Sequence, residues 1–550
     1  MSNSGNDTLP YDEQVQVLIA GGSLVGLSAA VFLQHNGIQS LVVERHPAPA
    51  RLPRARAINP RTMELFRALG LEETMRAAQS PIADYTLMVR VESLAGTEIE
   101  RLFEGDFGDE EVASPTSWCS IDQDQLEPIL VEHAQKLGCA LHFNTELVSF
   151  EQDEQGVTAV IRERATGQER RVRASYLLGA DGNRSTVRDT LGITTQGPGL
   201  VYHSTNIVFE ADLHEAERGR RIMLCYISNP ELPDGQGFLM PIDGQKRWQL
   251  SIALHPERGE RREDFTDEYG LKLIRLATGI PDLEAKIVQA YPWDPVKVGV
   301  WEMMPRYVEQ YQSGRVFLAG DSAHAILPTG AMGASTGIQD AFNLAWKLAL
   351  VLKGQATPAL LTSYAEERTP IGQLMVEQTM QRFAHRVGND ASSLIDNASL
   401  IFGYRYRHGA FIAEPGAEKA SLTQKPGTLS GEPGTRAPHV WLERAGERLS
   451  TIDLFGRSFV LLSGAEGASW HEAAQRVAAR LALKLDSCQI GAQGLQDVDS
   501  RWQAAYGVSA AGASLVRPDG FVAWRSRDGV EDAEATLEQV LLRLLGRTTA

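Results

Sequence analysis

Val15-Gln-Val-Leu-Ile-Ala-Gly-Gly-Ser-Leu-Val-Gly26 opens as a short apolar run and closes in a glycine turn, and its surroundings decide the fold. Residues 15–20 read as a buried strand. Residues 27–36 carry apolar side chains at helical spacing, and Gly37 stands where such a helix stops. A second strand, Ser40-Leu-Val-Val43, ends in Glu44. Strand, tight turn, helix, strand, acid is the order of a dinucleotide-binding unit. The turn Gly21, Gly22, Ser23, Leu24, Val25 and Gly26 would let a pyrophosphate approach backbone N–H groups at the helix start, where the helix dipole favours negative charge. Glu44 is placed to accept hydrogen bonds from the hydroxyls of an adenosine ribose. Ser23 occupies the middle glycine position of Gly-x-Gly-x-x-Gly; it is small and can itself donate a hydrogen bond, so the site is expected to survive. The bland alternative is a structural glycine turn.

The chain has 550 residues, enough for two or three domains. Its formal charge of −17, from 53 basic and 70 acidic residues, argues against a nucleic-acid partner. The first residues lack the basic and apolar segments of a signal peptide, and no run of about 18 apolar residues occurs, so neither secretion nor a membrane span is expected. The four cysteines, Cys119, Cys139, Cys225 and Cys488, are far apart in sequence; they give no metal-ligand spacing and no disulfide framework. That pattern suits the cytoplasm.

Arg45, Arg54, Arg56 and Arg61 follow closely behind the glycine turn in an otherwise acidic chain. They read either as a solvated basic face or as charge-assisted phosphate ligands, and the second reading is preferred for Arg54. Residues 85–92 and 98–103 alternate and read as strands of a second sheet. Gln123 opens a helix over residues 126–137, where its amide is an ordinary first-turn group or points into a cofactor cleft. An apolar strand runs from Tyr176 into Asp181-Gly182, whose carboxylate either caps the next helix or holds a polyol or pyrophosphate.

Residues 197–305 change character, with strand-like runs at 204–210 and 248–254 and interleaved aromatics at Tyr202, Tyr226, Phe238, Trp248, Trp293 and Trp301. These form a sheet core or the wall of a cavity for a flat apolar ligand, with Phe238, Met240 and Trp293 as the wall. A third junction follows: a strand over 316–319 ends in Gly320-Asp321, and the loop Leu327-Pro-Thr-Gly-Ala-Met-Gly333 opens a long helix over 335–352.

Gly21 to Gly26 with Glu44, Ala180-Asp181-Gly182, and Gly320-Asp321 followed by Gly337-Ile-Gln-Asp-Ala-Phe-Asn-Leu-Ala-Trp-Lys347 together resemble the motifs of the group A flavin monooxygenases, the FAD-dependent aromatic hydroxylases. The resemblance covers residues 12–410. It implies an α/β protein in which a Rossmann-like FAD-binding domain, residues 1–84, 111–196 and 306–412, is interleaved with a β-sheet substrate domain, residues 85–110 and 197–305. It further implies that Glu44 holds the adenosine ribose, that Arg54 serves the pyrophosphate region with Arg45 also at the cofactor, that Gln123 meets FAD from the flavin side and that Asp181 and Gly182 serve FAD and NADPH. Gly320 and Asp321 would hold the ribityl chain, and Pro328, Gly330, Ala331, Met332 and Gly333 would run along the isoalloxazine. Ala331 and Ser335 stand where the family carries glycine and asparagine.

Beyond a Gly/Pro-rich linker or strap at 413–438, residues 439–550 resemble the thioredoxin-like C-terminal domain of the larger phenol and polyketide hydroxylases. A strand pattern at 451–462, a helix at 470–483, a hairpin turning at Pro518-Asp-Gly520 and a final helix at 531–545 make it up. Cys488 is its one cysteine, which excludes dithiol chemistry. Asn59-Pro-Arg-Thr-Met-Glu64, Phe402-Gly-Tyr-Arg-Tyr-Arg407 and Ala513-Ser-Leu-Val-Arg-Pro-Asp-Gly520 resemble the corresponding stretches of the aklavinone and angucyclinone hydroxylases of antibiotic biosynthesis. The implied reaction has NADPH (or NADH) reduce FAD, O2 add at flavin C4a, and the hydroperoxide pass a hydroxyl to a polycyclic phenol. Simple phenol hydroxylation, epoxidation, Baeyer–Villiger chemistry and ligand binding without turnover are the alternatives. Tyr202, His203, Tyr226 and His255 are candidate bases; a homodimer is compatible with the sequence and not specified by it.

Overall fold

The computed structural model of the protein describes residues 11–548 except 53, 106–112, 290–293, 295, 387–392, 429 and 492–493. Trp293 therefore lies outside the described residues. Strand Glu13–Ala20 sits in an eight-stranded sheet, paired in parallel with Ser40–Glu44 on one side and Glu169–Gly179 on the other. Val17, Leu18 and Ile19 are fully buried, which is why this strand reads as an unbroken apolar run: both faces of a parallel sheet are covered. Helix Leu24–His35 packs on the sheet beside the helices Gln123–Lys136 and Gly333–Leu352, with Phe32 edge-on to Phe342 at 4.7 Å.

A second eight-stranded sheet runs in the order Lys286–Ile287, Tyr202–Glu210, Arg247–Ala253, Gln236–Pro241, Ile222–Ser228, Leu87–Val91, Glu98–Phe103, with Gly299–Met303 also paired to Tyr202–Glu210. Ile207, Phe209, Leu239, Leu250 and Ile252 fill one face beneath helix Asp267–Thr278. The opposite face looks back towards the first sheet. The strands at 87–91 and 98–103 belong to this second sheet, as their alternation predicts.

The C-terminal unit is a four-stranded sheet, Leu485–Gln489, Phe459–Ser463, Ala513–Val516, Val522–Ser526, covered by helices Ala468–Leu481 and Ala533–Leu544. One predicted element differs. The strand expected over 451–462 is a 3-10 turn at Thr451–Leu454 followed by the strand Phe459–Ser463. The Ser450 hydroxyl accepts from Ile452 N–H, the Asp453 carboxylate accepts from Ser450 N–H, and Gly456 at φ +116° breaks the chain direction, so local caps outweigh the apolar alternation.

The Gly/Pro-rich stretch is a packed strap. Tyr406 N–H donates to Gly434 O at 2.8 Å, and Arg436, 2 % exposed, is ion-paired with Glu64. Arg61 donates to Glu64 at 2.7 Å and to the Asp519 carbonyl. A second buried network joins helix Gly333–Leu352, helix Thr362–Arg386 and the hairpin turn: Lys347 Nζ lies 2.8 Å and Arg517 Nη1 2.6 Å from the Glu367 carboxylate, and Arg517 also pairs with Asp519. Burial alone would raise Glu367; the two cations outweigh it and hold the carboxyl near pKa 2.

Candidate active site

The glycine turn is built by exclusion. Gly21 sits at φ +105°, and a Cβ there would lie 2.2 Å from Ala180 O. A Cβ on Gly26 would lie 1.9 Å from Gly21 O. Helix Leu24–His35 can therefore start directly at the strand end with its first N–H groups uncovered. Glu44 is fixed by two backbone donors, Gly22 N–H at 2.7 Å and His46 N–H at 2.8 Å. Each carboxylate oxygen keeps a further lone pair for a ligand.

Ser23, the departure from the glycine pattern, is tied into a small network. Its hydroxyl donates to Glu127 at 2.5 Å, and the Gln123 amide donates to both Ser23 Oγ at 3.0 Å and Glu127 at 2.7 Å. Glu127 is 1 % exposed and its other oxygen accepts from Ala50 N–H, so serine here ties the turn to helix Gln123–Lys136. Asp181 caps helix Thr186–Thr190, accepting from Ser185 Oγ at 2.5 Å and Val187 N–H at 3.0 Å, while burial raises its pKa. Gly182, at φ +80°, follows it.

The third junction rests on a buried carboxylate within the Gly337–Lys347 motif. Asp340, on helix Gly333–Leu352, accepts from Gly320 N–H at 3.1 Å, lies 2.6 Å from His324 Nε2 and accepts from Arg368 at 2.7 Å. Burial would raise Asp340, but its interactions with His324 and Arg368 hold it below the ordinary carboxylate range. A Cβ on Gly337 would lie 2.6 Å from Val25 and 2.9 Å from Gly320 Cα, so Gly337 lets this helix close on the glycine turn. Asp321 is thereby presented on the wall of a cleft with its side chain open to the cavity, and the loss of surrounding water there raises its pKa against the pull of His324, Arg54 and Arg306.

These elements surround a cavity of about 2060 Å³, lined by Gly21, Ser23, Leu24, Val25, Glu44, Arg45, Arg54, Gln123, Asp181, Gly182 and Asp321 on one side. Pro328, Gly330, Ala331 and Gly333 form its roof, and Tyr226, Phe238 and Met240 part of its floor. Gly22, Gly26 and Gly320 shape the backbone behind it. Met332 is 1 % exposed and packs with Ile371 and Met375 away from the cavity. Of the candidate bases only Tyr226 lines the cavity. Tyr202 is raised to about 12 by burial, His203 lies 3.9 Å from Glu302, and His255 sits between Asp234 and Glu257. Arg61 is occupied with Glu64, and Arg56 with Asp122 and two carbonyls at the edge of the sheet. Arg386, at the end of helix Thr362–Arg386, reaches the cavity and donates to Tyr226 Oη at 3.4 Å; a cation in a last helical turn has no sequence signal to separate it from a surface group.

Residues 14–379 match the model of the FAD binding domain, and residues 430–548 match that of the aromatic-ring hydroxylase C-terminal domain. The chain belongs to the FAD-dependent aromatic-ring hydroxylases. The hydroxylase is 42 % identical to tetracenomycin A2 monooxygenase-dioxygenase of Streptomyces glaucescens over 98 % of both chains. It is likewise 42 % identical to 4-methyl-5-nitrocatechol 5-monooxygenase of a Burkholderia species, over 98 % of this chain and 99 % of that one. Among solved structures, aklavinone-11 hydroxylase in complex with FAD and aklavinone superposes with a TM-score of 0.88 at 40 % identity, covering 98 % of this chain and all of that one. The hydroxylase is thus a flavoprotein monooxygenase that uses O2, with NADPH the reductant typical of its family. Among the described residues no helix is long and apolar enough to cross a membrane, and no group of His, Cys, Asp and Glu is arranged to hold a metal.

Of the two departures, Ser335 has a local partner and Ala331 has a local cost. Ser335 is fully buried and accepts from Asn59 N–H at 3.1 Å, so it ties the roof helix to the chain before helix Pro60–Ala68. Ala331 adopts φ +55°, a left-handed conformation that costs a residue with a Cβ about 1 kcal/mol. Ala331→Gly is expected to raise stability by up to about 1 kcal/mol with FAD retained, read as a higher urea midpoint of the yellow protein; a lower midpoint would show that the methyl group packs usefully.

Proposed function

We propose that this hydroxylase binds FAD along the glycine turn and Glu44, with its ring end under the 328–333 loop, and hydroxylates a polycyclic phenol of polyketide type held on the second sheet. The observation that carries this reading is one continuous cavity running from Gly21 and Glu44, past Asp321 and the roof loop, to Phe238 and Met240. Its volume of about 2060 Å³ exceeds the roughly 300–1,000 Å³ of a single small-molecule pocket, which suits a dinucleotide together with a large flat ligand. FAD, when bound, supplies the reduction and oxygen-transfer chemistry.

The chain's own groups bind, orient and exclude water. Gly22 N–H fixes Glu44 so that its remaining lone pairs meet ribose hydroxyls. Arg45 and Arg54 supply positive charge beside the pyrophosphate, and Asp321, held by the Asp340 network, accepts from polyol hydroxyls. Gln123 reaches the same space from its helix start. The roof loop and the apolar floor keep water from the reacting ring. Arg386 places a cation beside Tyr226, which favours the phenolate form of a substrate hydroxyl at that wall and makes its ring more electron-rich. We assign the three FAD-binding segments, the two substrate segments and the C-terminal unit to the residue spans given above, and the enzyme to the cytoplasm, where its four free cysteines stay reduced.

The Burkholderia relative favours a second reading, a single-ring phenol substrate. The test is NADPH consumption by the FAD-loaded enzyme with 1,8-dihydroxyanthraquinone or 4-nitrocatechol. Oxidation stimulated by the anthraquinone, with a product heavier by one oxygen, is expected. Turnover of the catechol alone would overturn the polycyclic assignment.

A further inference from the structure

The cavity face of the second sheet is divided along its width. Asn206, Ser251, Phe238 and Tyr226 lie directly opposite one another on four successive strands, as the pairs Asn206↔Ser251, Phe238↔Ser251 and Tyr226↔Phe238, and all four line the cavity. Three strand spacings make this row about 14 Å long, enough to underlie a flat fused-ring molecule. One end is aromatic, with Phe238 edge-on to Tyr226 at 5.1 Å. The other end is polar and carries no charge. There Gln249, opposite Met240, joins Asn206 and Ser251.

The polar end is internally ordered and incompletely satisfied. Asn206 Oδ1 accepts from Ser251 Oγ at 2.8 Å and from Gln249 Nε2 at 3.3 Å, and Gln249 Nε2 also reaches Ser251 Oγ at 3.3 Å. Those bonds fix both amides, yet the Asn206 N–H2 group and the Gln249 carbonyl engage no partner among the described residues. A free donor and a free acceptor therefore share one end of the row, with the Phe238–Tyr226 aromatic pair and Arg386 at the other.

We infer that Asn206 and Gln249 form a neutral subsite that reads a carbonyl next to a hydroxyl on one edge of a flat ring substrate, while Phe238 and Tyr226 carry its carbocyclic body. This rests on the reading that the substrate lies on this sheet. The pairing is complementary: the Asn206 amide donates to the substrate carbonyl, and the Gln249 carbonyl accepts from the hydroxyl. A substrate lacking those oxygens would leave both groups unpaired once it displaced water from them, which is the strongest basis for rejecting it. Ser251 acts as a positioning residue that locks the Asn206 amide.

The test is binding of two probes to the FAD-loaded enzyme, followed by the change in flavin absorbance: 1,8-dihydroxyanthraquinone, which carries the keto-hydroxy edge, and 1,8-dimethylnaphthalene, which does not. Gln249→Met and, independently, Asn206→Leu are expected to weaken the anthraquinone about tenfold or more and to change the hydrocarbon less than about twofold. Phe238→Leu is expected to weaken both probes. Equal losses for both probes in the two polar-end variants, or no loss for either, would overturn the subsite while leaving the polycyclic reading intact. A wild-type enzyme that binds neither probe would overturn both.

Discussion

Arg517→Met is expected to destabilise the protein by about 3–5 kcal/mol, a large part of the ~5–15 kcal/mol that separates folded from unfolded chains. Arg517 is fully buried and donates to Glu367 and Asp519, both also buried. Methionine would fill much of its volume but leave Glu367 with Lys347 as its one ion-pair partner among the described residues and Asp519 with no ion-pair partner there, held by the Asn343 amide. A lower urea midpoint, followed by tryptophan fluorescence, is the measurement; a midpoint equal to that of the parent would mean that water reaches the joint. The same network sets the acid limb. Glu367 is held at about 2 against an ordinary value of 4.5, so the unfolded chain binds the extra proton over that interval. The stability this contributes is complete above pH 4.5 and disappears as the pH falls through about 2.

Gly26→Ala is expected to yield folded but colourless protein, with FAD bound about 100-fold more weakly. The new Cβ would fall 1.9 Å from Gly21 O and 3.3 Å from Ile19 Cγ2, both backbone or core positions that cannot swing aside. Relief requires the helix to move off the strand, carrying its N-terminal donors away from the phosphate position, and overpacking of this kind costs about 1–3 kcal/mol. Flavin absorbance against protein absorbance reads the occupancy, and far-UV circular dichroism checks the fold. A fully yellow Gly26→Ala protein would remove the glycine turn from the cofactor site.

What was legible in the sequence is what local chemistry specifies. The strand–turn–helix at residues 13–35 declares itself through contiguous apolar residues and glycines, and the hairpin at Pro518-Asp-Gly520 through its turn residues. The polar end of the cavity floor was not legible. Asn206, Gln249 and Ser251 sit on two strands, and only the register Asn206↔Ser251 brings them together. Tyr202 and His203 were attractive as residue types, but neither lines the cavity, while Tyr226 on another strand does. Arg436 and Glu64 are 372 positions apart, so no window of sequence holds both. Residues 451–462 show the opposite case: an alternating pattern yields to a serine cap and a glycine.

The strap and its buried ion pairs also constrain recombination among relatives. Arg436 and Arg517 come from the C-terminal third, whereas their acids Glu64 and Glu367 come from opposite ends of the FAD-binding region. A chimera that exchanges the last domain at a seam in the strap swaps half of each pair. An exchange from a relative that lacks a cation at position 436 or 517 would strand Glu64 or Glu367 in the interior, and carrying residues 61, 64, 347 and 367 along with 436, 517 and 519 keeps each pair matched. The two parts behave as one heritable unit, although the chain between them looks like a tether.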